Sequence, residues 1–236
     1  MQAAYRSTAP QRWLFYVFVC ASIFFTGAYF VTRSTYFNFT TIEVTGALEH
    51  LSAQQVREKT QRTLKGNFFL ADLTEIRTKI GALPWVRRVD VRRIWPGKLE
   101  VFIEEHQALA KWEANGLVNT YGEHFLANLD ELDDELPVFM GPAQYTKNIA
   151  QYYSIFKTIL QPLDAQPTYI LLTPRFAWRM RLDNGVALEL GRVAMEERLQ
   201  KFVHVILATP MLEDTLAYVD LRYANGFAVR FAKGVS

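Results

Sequence analysis

The sequence predicts an α+β fold: an N-terminal single transmembrane helix, a β-α-α-β-β unit, and a C-terminal, mostly antiparallel β domain with flanking helices. Three observations carry that expectation. Residues Trp13 to Val31 hold no charged side chain. Two short helical patterns between Ser52 and Gly81 are followed by two alternating strands. Beyond them come three Asn-Gly pairs, each set between apolar or alternating runs, the strongest short-range signal for a hairpin.

Composition narrows the function classes. The 236 residues are 50% hydrophobic, with 26 Lys and Arg against 24 Asp and Glu, a net charge of +2. So balanced a charge gives no reason to expect nucleic-acid binding. A single cysteine forms no internal bridge, which excludes a disulfide scaffold.

The stretch from Trp13 to Val31 would span about 28 Å as a helix, close to the hydrocarbon thickness of a bilayer. Trp13 and Tyr29 stand near its ends, where amphipathic rings favour the interface. A cleaved signal peptide has a shorter apolar run ending in a small-x-small site; here Thr26-Gly27-Ala28 continues into Tyr29-Phe30-Val31. The preceding tail, 1–12, carries Arg6 and Arg12 and no acid. The positive-inside rule therefore puts it in the cytoplasm and everything after Val31 outside. Cys20 falls inside the helix and reads as a small apolar side chain, which leaves the exported body without a thiol.

After a linker at 32–39, the first exported unit is expected over 40–107. Thr41–Val44 alternates as a strand and stops at Gly46. Ser52 and Asp72 are placed to cap helices that end at Gly66 and at Gly81 with Pro84. In Val86–Ile94, Val89 and Val91 point one way and Arg88, Asp90 and Arg92 the other. Trp95-Pro96-Gly97-Lys98 turns the chain, and Leu99, Val101 and Ile103 alternate with Glu100, Phe102 and Glu104.

The second unit, 108–236, reads as hairpins around Asn115-Gly116, Asn184-Gly185 and Asn225-Gly226. Their strands are Ala108–Trp112 with Leu117–Tyr121, Trp178–Leu182 with Val186–Leu190, and Leu216–Tyr223 with Phe227–Ala232. A further strand is expected at Thr168–Thr173, and helices over Thr146–Leu160 and Val193–Ala208. The last strand has no sequence neighbour to pair on its far side and is expected at a sheet edge. It carries only Arg230 to blunt that edge. Phe227, Val229 and Phe231 share one face, which suits either the core or a partner added as an extra strand.

Signatures of catalysis do not stand out. The sequence has no G-x-S-x-G, G-x-G-x-x-G, P-loop or H-E-x-x-H motif, and its four histidines are scattered. The carboxylates from Asp130 to Glu135 lack the loop glycine of an EF-hand and read as a solvated loop. The reading is a non-enzyme with no cofactor and no metal.

Several motifs stand on this frame of a basic tail, one membrane helix, a β-α-α-β-β unit and a β-rich end: Leu83-Pro-Trp-Val86 before Val89-Asp-Val-Arg92, Trp95-Pro-Gly-Lys-Leu99, Val101-Phe-Ile-Glu-Glu-His106, Leu190-Gly-Arg192, and Tyr218-Val-Asp-Leu-Arg-Tyr223. In this order they resemble the FtsQ/DivIB family of the bacterial divisome, the first exported unit being similar to a POTRA domain. They span the chain from about Gln11 to Ala232. The resemblance implies a single-pass (type II) inner-membrane scaffold at the division septum, with its C-terminus periplasmic, which links early and late division proteins. Its FtsB–FtsL pair would bind through Arg192, Arg222, Tyr223, Asn225, Gly226 and Phe231. A recruitment site in the second POTRA strand, for FtsK- or FtsW-type proteins, would involve Arg88, Val91 and Arg93. The alternatives are a POTRA-bearing secretion or envelope assembly factor and a membrane-anchored cell-wall enzyme.

Overall fold

The computed structural model describes residues 9–113, 115–129, 132, 136–209, 216–223 and 225–232. Most of the acidic run, Asp130, Glu131 and 133–135, lies outside the described residues, as does most of the basic tail. The chain divides into two units, 1–105 and 106–236.

The first unit begins with helix α1, Ala9–Arg33. Within it, the 21 residues Trp13–Arg33 are long and apolar enough to cross a membrane, and none of that stretch is buried against the rest of the protein. Strand β1 (Thr41–Thr45), helices α2 (Ala53–Thr63) and α3 (Leu73–Gly81), and strands β2 (Val86–Ile94) and β3 (Lys98–Glu105) follow. The helices start where the capping residues require. The Ser52 hydroxyl accepts from Gln54 N–H, and Gln55 reaches back to the Ser52 N–H. The Asp72 carboxylate accepts from the N–H groups of Thr74 and Glu75.

The three strands run in the order β1-β3-β2, with β1 parallel and β2 antiparallel to the central β3. One sheet face carries Val89, Val91, Leu99, Val101 and Ile103 onto Val56, Ile76 and Ile80 from the two helices. The opposite face holds charged pairs, Arg92 with Glu100 and Arg87 with Glu104. The Glu105 carboxylate, at the end of β3, accepts from the backbone N–H groups of Glu49, His50 and Leu51 and so fixes the loop into α2.

The second unit contains β4 (Ala108–Trp112), β5 (Leu117–Asn119), β6 (His124–Phe125), β7 (Val138–Met140), α4 (Thr146–Leu160), β8 (Pro167–Leu172), β9 (Trp178–Leu182), β10 (Ala187–Gly191), α5 (Met195–Ala208), β11 (Leu216–Asp220) and β12 (Ala228–Phe231). Among the described residues these strands make one sheet in the order β12-β11-β10-β9-β8-β7-β4-β5-β6. Most neighbours are antiparallel. The pairs β4–β7, β7–β8 and β10–β11 are parallel, and helices supply the long connections of the last two, α4 before β8 and α5 before β11. Both helices pack on the sheet through Ile149, Phe156 and Leu160 of α4 and Leu199, Phe202 and Ile206 of α5.

Two Asn-Gly pairs turn the chain, but only the glycine takes positive φ, +89° at Gly116 and +84° at Gly185. These are turns with one left-handed residue rather than two-residue type I′ hairpins. The third pair differs more. Asn225 and Gly226 lie in a connection of seven residues between β11 and β12, which shortens both expected strands. Strands β6 and β7 lie in segments where the sequence pattern places none; each is two or three residues long.

Candidate partner-binding surface

Among the described residues, strand β12 ends the nine-stranded sheet and pairs with β11 alone. The register sets Val229 opposite Val219, Arg230 opposite Tyr218, and Phe231 opposite Leu216. Val219 is fully buried, whereas Val229 is 38% and Phe231 48% exposed. Of the three apolar residues on this face, Phe227 alone packs inward, edge to face with Phe202 of α5 at 5.7 Å. The core therefore takes the first residue of the run and leaves the other two in solvent. On the other face the Arg230 guanidinium lies over the Tyr218 ring at 5.2 Å, holding the edge strand flat against its neighbour.

The connection from β11 to β12 first buries Leu221 and then turns outward, with Tyr223 58% exposed. Together with α5 it walls a groove of about 810 Å³, whose lining includes Arg198, Lys201 and His204 on the helix side and Tyr223 and Phe227 on the other. Basic groups outnumber the one carboxylate, Glu197, along that lining.

Arg222 folds back onto Asp220. Its Nε and Nη2 donate to Oδ1 and Oδ2 at 2.8 and 2.6 Å, a bidentate fork. The same carboxylate accepts the Arg222 N–H at 3.0 Å. These bonds hold the Asp220 carboxyl below the ordinary aspartate range and raise the Arg222 guanidinium, so both stay charged. Residue spacing explains the pair, because positions 220 and 222 leave an extended chain on the same side. Gly191 lies beneath it: its φ is +78°, and a Cβ there would meet Arg222 Cγ at 3.1 Å. Arg192, next along the chain, is exposed at the turn into α5.

Of the sequence-expected residues, Arg222, Tyr223, Asn225, Gly226 and Phe231 thus fall on β12 or the connection leading to it, and Arg192 beside the Gly191–Arg222 contact. Lys201 and His204 line the groove, and the buried Asp220 and Gly191 support Arg222 from below; none of the four was among them. Asp220 was legible in principle from the Asp-x-Arg spacing; the groove residues were not, since only the crossover places α5 beside this strand.

The POTRA residues separate. All three lie on β2, the edge of the smaller sheet. Arg88 is exposed. The Arg93 Nη2 donates to the Ala71 carbonyl at 2.6 Å, tying β2 to the segment before α3. Val91 is 3% exposed, inside the core, and presents no side chain to a partner.

Residues 37–106 match the family model described as POTRA domain, FtsQ-type, and residues 110–222 match that of cell division protein FtsQ/DivIB, C-terminal. The cell division protein FtsQ of Nitrosospira multiformis is 43% identical over 186 residues, covering 78% of each chain. The chain belongs to the FtsQ family. The FtsQ proteins of Burkholderia pseudomallei, 39% identical over 87% of this chain and 84% of theirs, and of Bordetella pertussis, 35% identical over 92% and 88%, extend the match along most of its length. The FtsQ C-terminal model ends at Arg222, so β12 lies past its matched range. Membership makes the β-α-α-β-β unit a POTRA domain and the protein a member of a cell-division family.

Proposed function

We propose that this FtsQ-family chain is a single-pass scaffold of the division septum that works by holding other division proteins. It binds the FtsB–FtsL-type pair on the β12 edge. The N-terminal tail is cytoplasmic and both folded units lie on the far side of the inner membrane, as Arg6 and Arg12 ahead of the apolar run and the lack of acid there favour. The observation that carries the reading is β12 itself: a strand edge that no other described strand covers, with Val229 and Phe231 exposed beside a basic groove.

An extra strand laid along β12 would take its unpaired backbone groups, while Phe231 and Tyr223 anchor side chains at the edge. Arg198 and Lys201 on the groove wall, with Arg192 exposed at the turn into α5, suit an acidic segment that continues from that strand into the groove. The Asp220–Arg222 fork, with Gly191 beneath it, sets the connection so that Tyr223, Asn225 and Gly226 stand at the groove's rim. Such a surface binds rather than catalyses. The POTRA edge would serve recruitment of FtsK- or FtsW-type proteins through Arg88, with Val91 and Arg93 keeping the strand in place.

Photo-crosslinking amino acids at Tyr223 and Phe231, with Arg179 on the sheet interior as control, test the edge in dividing cells. The reading expects FtsB-type capture at the first two positions only. Capture at Arg179 alone, or at none, would remove β12 as the binding site.

A further inference from the structure

The strongest surface feature outside the β12 edge lies where α1 meets the POTRA unit. The chain leaves α1 at Arg33, and the Asn67 side-chain amide, itself 6% exposed, donates to the Thr32 and Ser34 carbonyls. The Thr32 carbonyl is one of the groups the end of a helix leaves without a partner of its own, and the Ser34 carbonyl also accepts from Phe37 N–H at 3.3 Å. Phe68 N–H donates to the Phe37 carbonyl at 2.8 Å, a second tie between the helix exit and the segment after α2.

An aromatic cluster surrounds these bonds. The Phe37 ring packs against Tyr36 at 5.4 Å, Phe69 at 5.3 Å and Trp95 at 5.9 Å. Its outer members are left in solvent: Tyr36 is 87% and Trp95 61% exposed, and Phe69 and Leu70 are exposed too. Lys65 and Arg93, both exposed, stand close to this group along the chain. A water-soluble unit does not ordinarily gather two rings, a leucine and an indole outward at one place.

Position supplies the occupant. The 21 residues Trp13–Arg33 make a helix of about 32 Å, which fills the hydrocarbon layer and leaves Arg33 at its boundary. Tyr36 is three residues further, within about 10 Å of chain. The polar layer on each side of a bilayer is about 5–8 Å deep. Tyr and Trp partition to that layer, and lysine and arginine suit anionic headgroups there.

We propose that Tyr36, Phe69, Leu70 and Trp95 form a collar that sits in the headgroup layer of the bilayer crossed by α1, pinning the POTRA unit to the membrane surface. This rests on the reading of α1 as a membrane span. Its consequence is orientational: the Asn67 bonds fix the unit to the helix and the collar fixes it to the lipid, so the β2 edge is presented at a constant height.

The test uses the full chain in nanodiscs of phosphatidylethanolamine and phosphatidylglycerol. A fluorophore on the native Cys20 reports insertion of α1, by quenching from lipids with a nitroxide in the acyl chain. In a Cys20→Ser background the label moves to Leu70→Cys or, as control, Gln54→Cys at the far end of α2, and the nitroxide to the lipid headgroup. We expect quenching at position 70 roughly twofold or more above that at position 54, and loss of the excess when Phe69→Ser and Trp95→Ser are added. Equal quenching at 70 and 54, with Cys20 quenched, overturns the collar and leaves the span intact. An unquenched Cys20 overturns the span, and the collar with it.

Discussion

Strands β2 and β12 each end a sheet, and they meet solvent with opposite chemistry. Along β2 the charged residues outside the core are Arg87, Arg88, Asp90, Arg92 and Arg93, several of them held by Glu104, Glu100 or the Ala71 carbonyl. Along β12 the single charge is Arg230, which lies over Tyr218, and the exposed apolar residues are Val229 and Phe231. Charge on an edge keeps strange strands away, because a strand that added there would have to strip water from guanidinium groups. An apolar edge carries no such penalty. One sheet of the molecule ends in a guarded edge and the other in an open one, and the open one lies beside the groove under Tyr223.

The largest effect expected from this contrast is at Phe231. Phe231→Ala removes an anchor from the open edge and should weaken binding of the FtsB–FtsL-type pair by about 2 kcal/mol, roughly 30-fold. Its ring is half in solvent, so thermal unfolding should move little. A large loss of stability with unchanged binding would make it a core residue instead.

On the guarded edge the two kinds of position should separate. Val91→Ala empties space between the sheet and its helices and should cost about 2 kcal/mol of unfolding free energy. Arg88→Ala on the outer side should stay within about 0.5 kcal/mol, and any defect it brings should appear in recruitment. Denaturant titration of the two variants checks both. Equal destabilisation would mean that Arg88 has a structural role the fold does not reveal.

Gly191→Ala probes the support beneath the open edge. The backbone conformation at φ +78° disfavours a side chain, and the new Cβ presses on Arg222, so about 1 kcal/mol of stability should be lost. A variant as stable as the parent would show that the Arg222 fork has room to shift.

The smallest expected effect is with pH. Because Arg222 lowers the Asp220 pKa, the contribution of the pair to stability is complete above the ordinary aspartate range. It is lost as pH falls through the folded value. Arg222→Ala should flatten that acid-side fall, measured as unfolding midpoints in a pH series down from about 5. An unchanged slope would mean that Asp220 is held by other groups.

Local chemistry made the POTRA unit readable: Ser52 with Gln55 and Asp72 mark the helix starts, and Leu99, Val101 and Ile103 alternate as the sheet demands. The second sheet was legible strand by strand where a run reached four or five residues. Strands β6 and β7 are too short to show a period, and the parallel pairing of β7 with β4 and β8 depends on contacts far apart in sequence. Asn225-Gly226 read as a tight turn because that pair usually makes one; here Leu221 is drawn into the core first, and the connection lengthens to seven residues. At the site, β12 stands at the sheet edge where the sequence reading expected it. Whether Phe231 faced core or solvent did not, since alternation gives the side of a sheet but not how far a helix covers it.

Amide exchange along β12 tests the central claim most directly. With the FtsB–FtsL-type pair bound to the full chain in lipid, amides of Ala228–Phe231 that face outward from β11 should gain protection, while those of the β2 edge keep their free-state rates. Unchanged exchange in β12 with the pair demonstrably bound would contradict strand addition at this edge.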